Sequence, residues 1–129
     1  MDLYVARHGQ TLWNVQCKVC GRTDLPLTEE GLHQAQLLAQ DAVGKGIDVI
    51  LASPMLRARQ TAQAVAQVLG LPVEIDDRLI EQDYGACEGV DRLDPVFLPV
   101  SGISAPVTPA ENPCWIWHAG CIACWMRSP

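Results

Sequence analysis

The chain has 129 residues, a formal net charge of −6 and hydrophobic residues at 49% of its positions. This length suits one domain with a single core. The acidic balance argues against a nucleic-acid or anionic-membrane partner, because a general basic field is missing. No apolar stretch reaches the roughly 18 residues that a transmembrane helix needs, and no basic segment precedes the first strand, so we expect a cytoplasmic protein.

Strands and helices are predicted to alternate through residues 1–95. Buried strands are expected at residues 3–6, 47–52 and 72–75. The first helix is capped by Thr28 and the second by Ser53, with Pro54 at its first helical position. Their apolar stripes are Leu32, Ala35, Leu38, Ala39 and Ala42, then Ala58, Thr61, Ala62, Val65 and Leu69. This order predicts an α/β fold with a mostly parallel sheet flanked by helices.

The composition changes abruptly near Pro95. Residues 96–129 keep only two charged side chains, Glu111 and Arg127, and show no sustained helical or strand period. We therefore expect an atypical tail, rich in proline, tryptophan and cysteine, that is irregular or disordered and supplies no regular strand. A frameshift or truncation of a longer gene would account for the change. The sheet would then be incomplete towards the C-terminus and its apolar residues incompletely covered, namely Leu3, Val5, Val49, Ile50 and Leu51.

The most informative residues are Arg7, His8 and Gly9, which directly follow the first strand. Ligands of open α/β sheets collect at the carboxyl ends of strands, where His8 would lie. Histidine is a nucleophile near neutral pH, and the planar fork of arginine suits phosphate oxygens. Arg57 follows the second strand in the first turn of a helix, where backbone N–H groups also favour an anion. Two arginines converging on a histidine are what phosphoryl transfer requires.

Four blocks in order carry a resemblance to a known family. They are residues 7–14, residues 21–31 (Gly-Arg-Thr-Asp-Leu-Pro-Leu-Thr-Glu-Glu-Gly), residues 53–62 (Ser-Pro-Met-Leu-Arg-Ala-Arg-Gln-Thr-Ala) and residues 79–89 (Leu-Ile-Glu-Gln-Asp-Tyr-Gly-Ala-Cys-Glu-Gly). Together they resemble the histidine phosphatase superfamily, which includes the phosphoglycerate mutases. The resemblance spans residues 1–95, which we interpret as the N-terminal part of such a domain, and it does not extend into residues 96–129.

The resemblance implies a role for each matching residue. His8 would be the nucleophile that becomes a phosphohistidine, and Glu81 would donate a proton to the leaving group. Arg7 and Arg57 would bind the substrate phosphate, and Asn14 and Thr23 look like further phosphate-binding groups. Glu88 is a weaker candidate for the acid, and a loop carboxylate that caps a backbone turn is the favoured interpretation of it.

The family also uses a second histidine, in a His-Gly pair at the end of a later strand. Only His33 and His118 remain here, and His33 is expected on the solvent side of the first helix. His118 is the candidate, but a parallel crossover needs a dozen or more residues, usually helical, and residues 96–113 do not look helical.

Six cysteines include the pairs Cys17/Cys20 and Cys121/Cys124, each with C-x-x-C spacing. Four such ligands match the donor count of a zinc site, but about a hundred residues separate the pairs. A disulfide is disfavoured in a reducing compartment. We therefore predict thiols, with no metal and no cofactor.

The resemblance predicts a hydrolase that cleaves small phosphate monoesters, so the expected partner is a small phosphorylated metabolite. The short stretch after Gly21 and the block ending at Gly89 favour a phosphatase over a phosphoglycerate mutase. A catalytically dead fragment that only binds anions or a partner chain is the competing hypothesis. The physiological substrate and the oligomeric state do not follow from the sequence.

Overall fold

A computed structural model describes residues 2–94 and the backbone of residues 122–127. Four strands form one sheet: β1 (Asp2–Arg7), β2 (Val49–Ala52), β3 (Val73–Ile75) and β4 (Ile122–Arg127). The helices are α1 (Leu12–Val15), α2 (Glu29–Ala42) and α3 (Leu56–Leu69), and two 3₁₀ turns span Asp77–Leu79 and Gly85–Cys87. No helix within these described residues is long and apolar enough to cross a membrane.

The strand order is β1-β4-β2-β3. β2 and β3 pair in parallel, while β4 lies between β1 and β2 and runs antiparallel to both. β1, β2 and β3 therefore point the same way, as right-handed crossovers require, and the predicted α/β class is confirmed. The prediction that the tail supplies no regular strand is wrong for residues 122–127. The facing edges of β1 and β2 are open to hydrogen bonding, and we call the space between them the slot. An extended apolar segment in the slot pairs with both strands.

The main core lies between α2, α3 and one face of the sheet. Small residues of both helices pack on Ile50 and Ala52 of β2, with Tyr4 and Ala6 of β1 alongside. Because strand side chains alternate between faces, Leu3 and Val5 lie on the opposite face of β1, where they are 57% and 55% exposed. That part of the expectation of an uncovered sheet is confirmed, whereas Ile50 is fully buried.

Thr28 caps α2 as predicted, because its hydroxyl accepts a hydrogen bond from the backbone N–H of Gly31. The predicted stripe is confirmed at Ala35, Ala39 and Ala42, but Leu32 is 44% exposed. Gly31 takes its place on the buried face because residues 9–10 cross α2 there too closely for any side chain.

The predicted start of α3 is two residues too early. Its N-cap is Met55, and Ser53 does not cap it. The Ser53 hydroxyl accepts from the N–H of Met55 at 3.4 Å, a local turn contact that competes with a helix cap. Asp24 instead receives the first helical N–H, that of Leu56, at 2.6 Å. A carboxylate at this position is favoured by the positive end of the helix dipole.

Candidate active site

His8 follows the last residue of β1, at the carboxyl edge of the sheet. Its Nδ1 lies 2.6 Å from the carbonyl oxygen of Gly9. A carbonyl oxygen can only accept, so Nδ1 carries the hydrogen and the lone pair of the neutral ring is on Nε2. The turn after β1 thus fixes the tautomer in which Nε2 is the nucleophilic atom.

The surroundings of His8 keep its ring neutral. The pKa of His8 is lowered from 6.5 to about 4, mainly by burial and in addition by the positive charges of Arg57, Arg7 and Arg92, while the hydrogen bond with Gly9 acts in the opposite direction. At neutral pH the imidazole is therefore deprotonated at Nε2 and surrounded by fixed positive charge. A neutral nucleophile beside several cations is suited to a dianionic phosphate.

Arg57 is almost completely buried, with 1% of its surface exposed. Its Nη2 donates to the carbonyl oxygen of Gly21 at 2.7 Å, and its Nη1 donates to the carbonyl oxygen of Thr23 at 3.1 Å. We call residues 21–23 the pocket loop. Arg57 therefore has two functions in the structure, since it places a charge near His8 and holds the carbonyl side of the pocket loop.

Glu88 holds the opposite, N–H side of the pocket loop. Its carboxylate accepts from the backbone N–H of Gly21 at 3.1 Å and of Arg22 at 2.9 Å, and from the Thr23 hydroxyl at 2.9 Å. Burial raises the pKa of Glu88, but these hydrogen bonds lower it by more. The interpretation of Glu88 as a capping carboxylate is confirmed, and its lowered pKa makes it a poor proton donor at neutral pH.

Glu81, the predicted acid, is buried, with 6% of its surface exposed. It follows the first 3₁₀ turn, and its Oε1 accepts from the N–H of Gln82 at 2.9 Å. Nε of Arg22 donates to the Glu81 carbonyl oxygen at 3.1 Å. The structure therefore joins Glu81 to the pocket loop, which Arg57 in turn joins to the surroundings of His8.

The oxygen of the Asn14 side chain is committed to the start of α1. Its Oδ1 accepts from the N–H and the hydroxyl of Thr11, both at 2.9 Å. Because the carboxamide is planar, this fixes the direction of the Nδ2 group, the donor that a phosphate would need. The hydroxyl hydrogen of Thr23 is used in the bond to Glu88, so the donor that Thr23 can offer an anion is its backbone N–H.

Arg92 is a residue that sequence reasoning missed. Residues 17–19 and 89–92 run alongside each other as an isolated antiparallel bridge, in which the Arg92 N–H donates to the Cys17 carbonyl oxygen at 3.0 Å. Nε of Arg92 also donates to the Lys18 carbonyl oxygen at 3.2 Å. This pairing brings the charge of Arg92 to bear on His8, and neither segment is long enough to show a periodic signal.

The same bridge bears on the first cysteine pair. Lys18 and Val19, which pair with residues 89–91, lie between Cys17 and Cys20. Both cysteines, like Cys87, are thiols. The thiol of Cys20 donates to the Thr23 carbonyl oxygen at 3.6 Å. No group of three or more metal-ligating residues is found among the described residues.

Arg7 is exposed at the end of β1, and its charge contributes to lowering the pKa of His8. His33 lies on the solvent side of α2, as predicted, and Arg59 is exposed on α3. His118 and the rest of residues 95–121 lie outside the described residues.

Comparison with known proteins places this arrangement in context. A family model described as the histidine phosphatase superfamily (branch 1) matches residues 3–94. A protein of Yersinia pestis named as a probable phosphoglycerate mutase is 41% identical over 97 residues, which cover 74% of this chain and 45% of that protein. The chain thus spans about half the length of the relatives that it matches.

Solved structures give the same result. A phosphoserine phosphatase of Entamoeba histolytica, in complex with 3-phosphoglyceric acid, aligns with a TM-score of 0.64 and 34% identity over 79% of this chain and 47% of its own. A mycobacterial glucosyl-3-phosphoglycerate phosphatase complexed with VO3 aligns with a TM-score of 0.68 and 31% identity over 80% of this chain and 50% of its own. Both structures share more than 30% sequence identity with this chain, so the similarity indicates the family as well as the fold.

Proposed function

This chain belongs to the histidine phosphatase superfamily, and from that premise we propose that it is a phosphoryl-transfer enzyme that hydrolyses small phosphate monoesters through a phosphohistidine at His8. The observation that carries the proposal is the state of His8. Its ring is neutral, its Nδ1 is committed to Gly9, and three arginines act on it. A structural histidine has no need of this combination, whereas a nucleophile for phosphate does.

The proposed reaction has two steps. Nε2 of His8 attacks phosphorus, the P–O bond to the alcohol breaks, and the alkoxide takes a proton from Glu81 as it leaves. A water molecule then attacks the phosphohistidine, gives its proton to Glu81, and releases inorganic phosphate and neutral His8. The positive charges of Arg7 and Arg57 neutralise the equatorial phosphate oxygens in both steps, with the Nδ2 group of Asn14 and the backbone N–H of Thr23 as further donors.

The extra charge of Arg92 supports a substrate class within the phosphate monoesters. A phosphate already engages Arg7 and Arg57, so a third cation near His8 suits a substrate with a second negative group. We therefore place phosphorylated small carboxylic acids ahead of neutral phosphate esters. Phosphoglycerate mutase activity is the second candidate, and the name of the Yersinia relative favours it.

A site that follows the family pattern needs a second histidine. His118 is the proposed residue. Three residues separate it from Ile122, which pairs with Arg7 at the edge where His8 lies. At about 3.5 Å or less per residue, the four steps from His118 to Ile122 span at most about 14 Å, a length that supports a contribution of His118 to the pocket. A fragment that binds anions without turnover is the competing candidate.

The test combines turnover with covalent labelling. Phosphate release from 3-phosphoglycerate, phosphoserine and a neutral phosphate ester is measured beside mutase activity, and the chain is labelled with a radioactive monoester and quenched. We expect release, with acid-labile label that disappears in His8→Ala and persists in the matched control His33→Ala. Label or turnover surviving in His8→Ala would refute the proposal.

Two further outcomes separate the alternatives. Loss of turnover in His118→Gln, with phosphate binding retained or weakened, supports His118 as the second histidine, and wild-type turnover in that variant excludes it. Binding of phosphate or vanadate by the wild-type chain without any label or release would refute the enzyme proposal and establish the anion-binding fragment.

A further inference from the structure

Thr61 has a buried hydroxyl that takes no part in the proposed reaction. It lies on α3 one turn after Arg57, and 1% of its surface is exposed. The hydrophobic stripe of the helix predicts an apolar packing role for it, but two hydrogen bonds at this hydroxyl point elsewhere. Its Oγ1 is 2.8 Å from the Arg57 carbonyl oxygen and 3.0 Å from the backbone nitrogen of Gly9.

The direction of both bonds follows from the atoms involved. The Arg57 carbonyl oxygen can only accept, so the single hydroxyl hydrogen of Thr61 points towards it. The oxygen of that hydroxyl is then left as the acceptor for the N–H of Gly9. Back-bonding to the carbonyl four residues earlier is common for threonine in a helix, but accepting from a residue 52 positions away is a long-range connection.

The Gly9 peptide is consequently held on both sides. Its N–H is bound by Thr61, its carbonyl oxygen accepts from Nδ1 of His8, and its Cα lies against the backbone of Gly31 with no room for a side chain. Three hydrogen bonds thus run in series from the Arg57 carbonyl oxygen, through the Thr61 hydroxyl and the Gly9 peptide, to the His8 ring.

We propose that Thr61 is a positioning residue, whose hydroxyl fixes the Gly9 peptide and thereby sets the orientation and the reactive tautomer of His8 relative to Arg57. This inference rests on the proposed function for its catalytic meaning, although the effect on His8 itself is independent of turnover. Without the hydroxyl, the Gly9 peptide can rotate, and Nδ1 of His8 loses a fixed acceptor. The Nδ1–H tautomer is then no longer selected, and Nε2 carries the hydrogen in part of the molecules.

The test uses the full chain and three variants. Thr61→Val keeps the branched shape and removes the hydroxyl, Thr61→Ser keeps the hydroxyl and removes the methyl group, and Val65→Ala weakens the core one turn further along the same helix. Nitrogen-15 chemical shifts of the His8 ring, assigned with His8→Gln, report which ring nitrogen carries the hydrogen. Urea unfolding reports stability, and kcat and KM are measured with the best substrate.

We expect the wild-type chain, Thr61→Ser and Val65→Ala to show the Nδ1–H tautomer, and Thr61→Val to show a mixture. In an active chain, kcat of Thr61→Val falls on the order of tenfold to a hundredfold with a smaller change in KM, because misplacing a reacting group costs that much. Thr61→Ser stays within about threefold of the wild type on the same scale. If Thr61→Val does not fold, Thr61→Ala replaces it with the same expectation.

A tautomer that is unchanged in Thr61→Val, or that changes equally in Val65→Ala, would overturn the inference, since the effect would then be absent or merely structural. Loss of the tautomer preference in Thr61→Ser would overturn it as well. These failures are distinguishable from failure of the proposed function. A chain without label or turnover whose tautomer still depends on the Thr61 hydroxyl refutes the reaction and supports the positioning role.

Discussion

The low pKa of His8 makes folding stability depend on pH in a way that one substitution removes. The pKa of His8 is 6.5 in the unfolded chain and about 4 in the folded one, because burial and three arginines disfavour the charged ring. Between these values the unfolded chain binds more protons, so the free energy of unfolding falls as the pH is lowered. From about pH 7 to about pH 5 this loss amounts to about 2 kcal/mol, out of about 3.4 kcal/mol for the full shift.

The measurement compares, between variants, the change in unfolding free energy from one pH to the other. Urea unfolding is followed at about pH 7 and about pH 5 for the wild type, for His8→Gln, which does not titrate, and for the exposed control His33→Gln. His8→Gln should lose about 2 kcal/mol less than the wild type over this range, whereas His33→Gln should follow the wild type. Equal losses in all three proteins, or a His8 ring that titrates near 6.5 by NMR, would show that His8 is not buried among cations.

Arg57→Ala should lower kcat/KM by about a hundredfold, because a pre-positioned charge contributes on the order of 3 kcal/mol to phosphoryl transfer, while Arg59→Ala on the exposed side of α3 should stay within about twofold. Equal losses of kcat/KM in the two variants would contradict the placement of Arg57 inside the site and of Arg59 on the exposed side of α3. Burial raises the pKa of Glu88, and the hydrogen bonds of the pocket loop lower it by more. In urea unfolding, the wild type should therefore lose stability relative to Glu88→Gln as the pH falls below 4.5. Parallel pH profiles of the two proteins would argue against Glu88 as the carboxylate that holds the pocket loop. Gly9→Ala should cost about 1–3 kcal/mol of unfolding free energy because its Cβ would meet the Gly31 carbonyl oxygen; an unchanged urea midpoint would contradict that contact.

Features with a local cause were predictable from the sequence. Thr28 caps α2 and Gly70 ends α3 in the left-handed conformation because each depends on backbone groups a few residues away. The position of His8 at a strand end also follows from local order. Ser53 looked equally good as a cap, yet a distant side chain, Asp24, receives the first N–H of α3. A cap supplied from 32 residues away leaves no trace in the neighbouring sequence.

The pocket loop shows the same limit at the candidate site. Arg57 and Thr23 were both expected to bind phosphate, but Arg57 also holds two carbonyl oxygens of the loop and the Thr23 hydroxyl donates to Glu88. A motif identifies residue types that suit a reaction. It does not say which of their donors the fold has already used, since the partners lie 34 to 36 residues away for Arg57 and 65 residues away for Thr23 and meet them only in the folded chain.

β4 explains why composition alone could not exclude a strand in the tail. The slot between β1 and β2 is filled by six residues of extended backbone. This backbone pairing does not depend on a periodic sequence elsewhere in residues 96–129. The direction of β4 has a consequence for the site. The family resemblance implies a second histidine at the end of a later strand. β4 runs antiparallel to β1 and begins at the edge where His8 lies, because Ile122 pairs with Arg7. Because residues before β4 approach this edge, we propose a residue that precedes β4 as the second histidine, and His118 is the histidine of that segment.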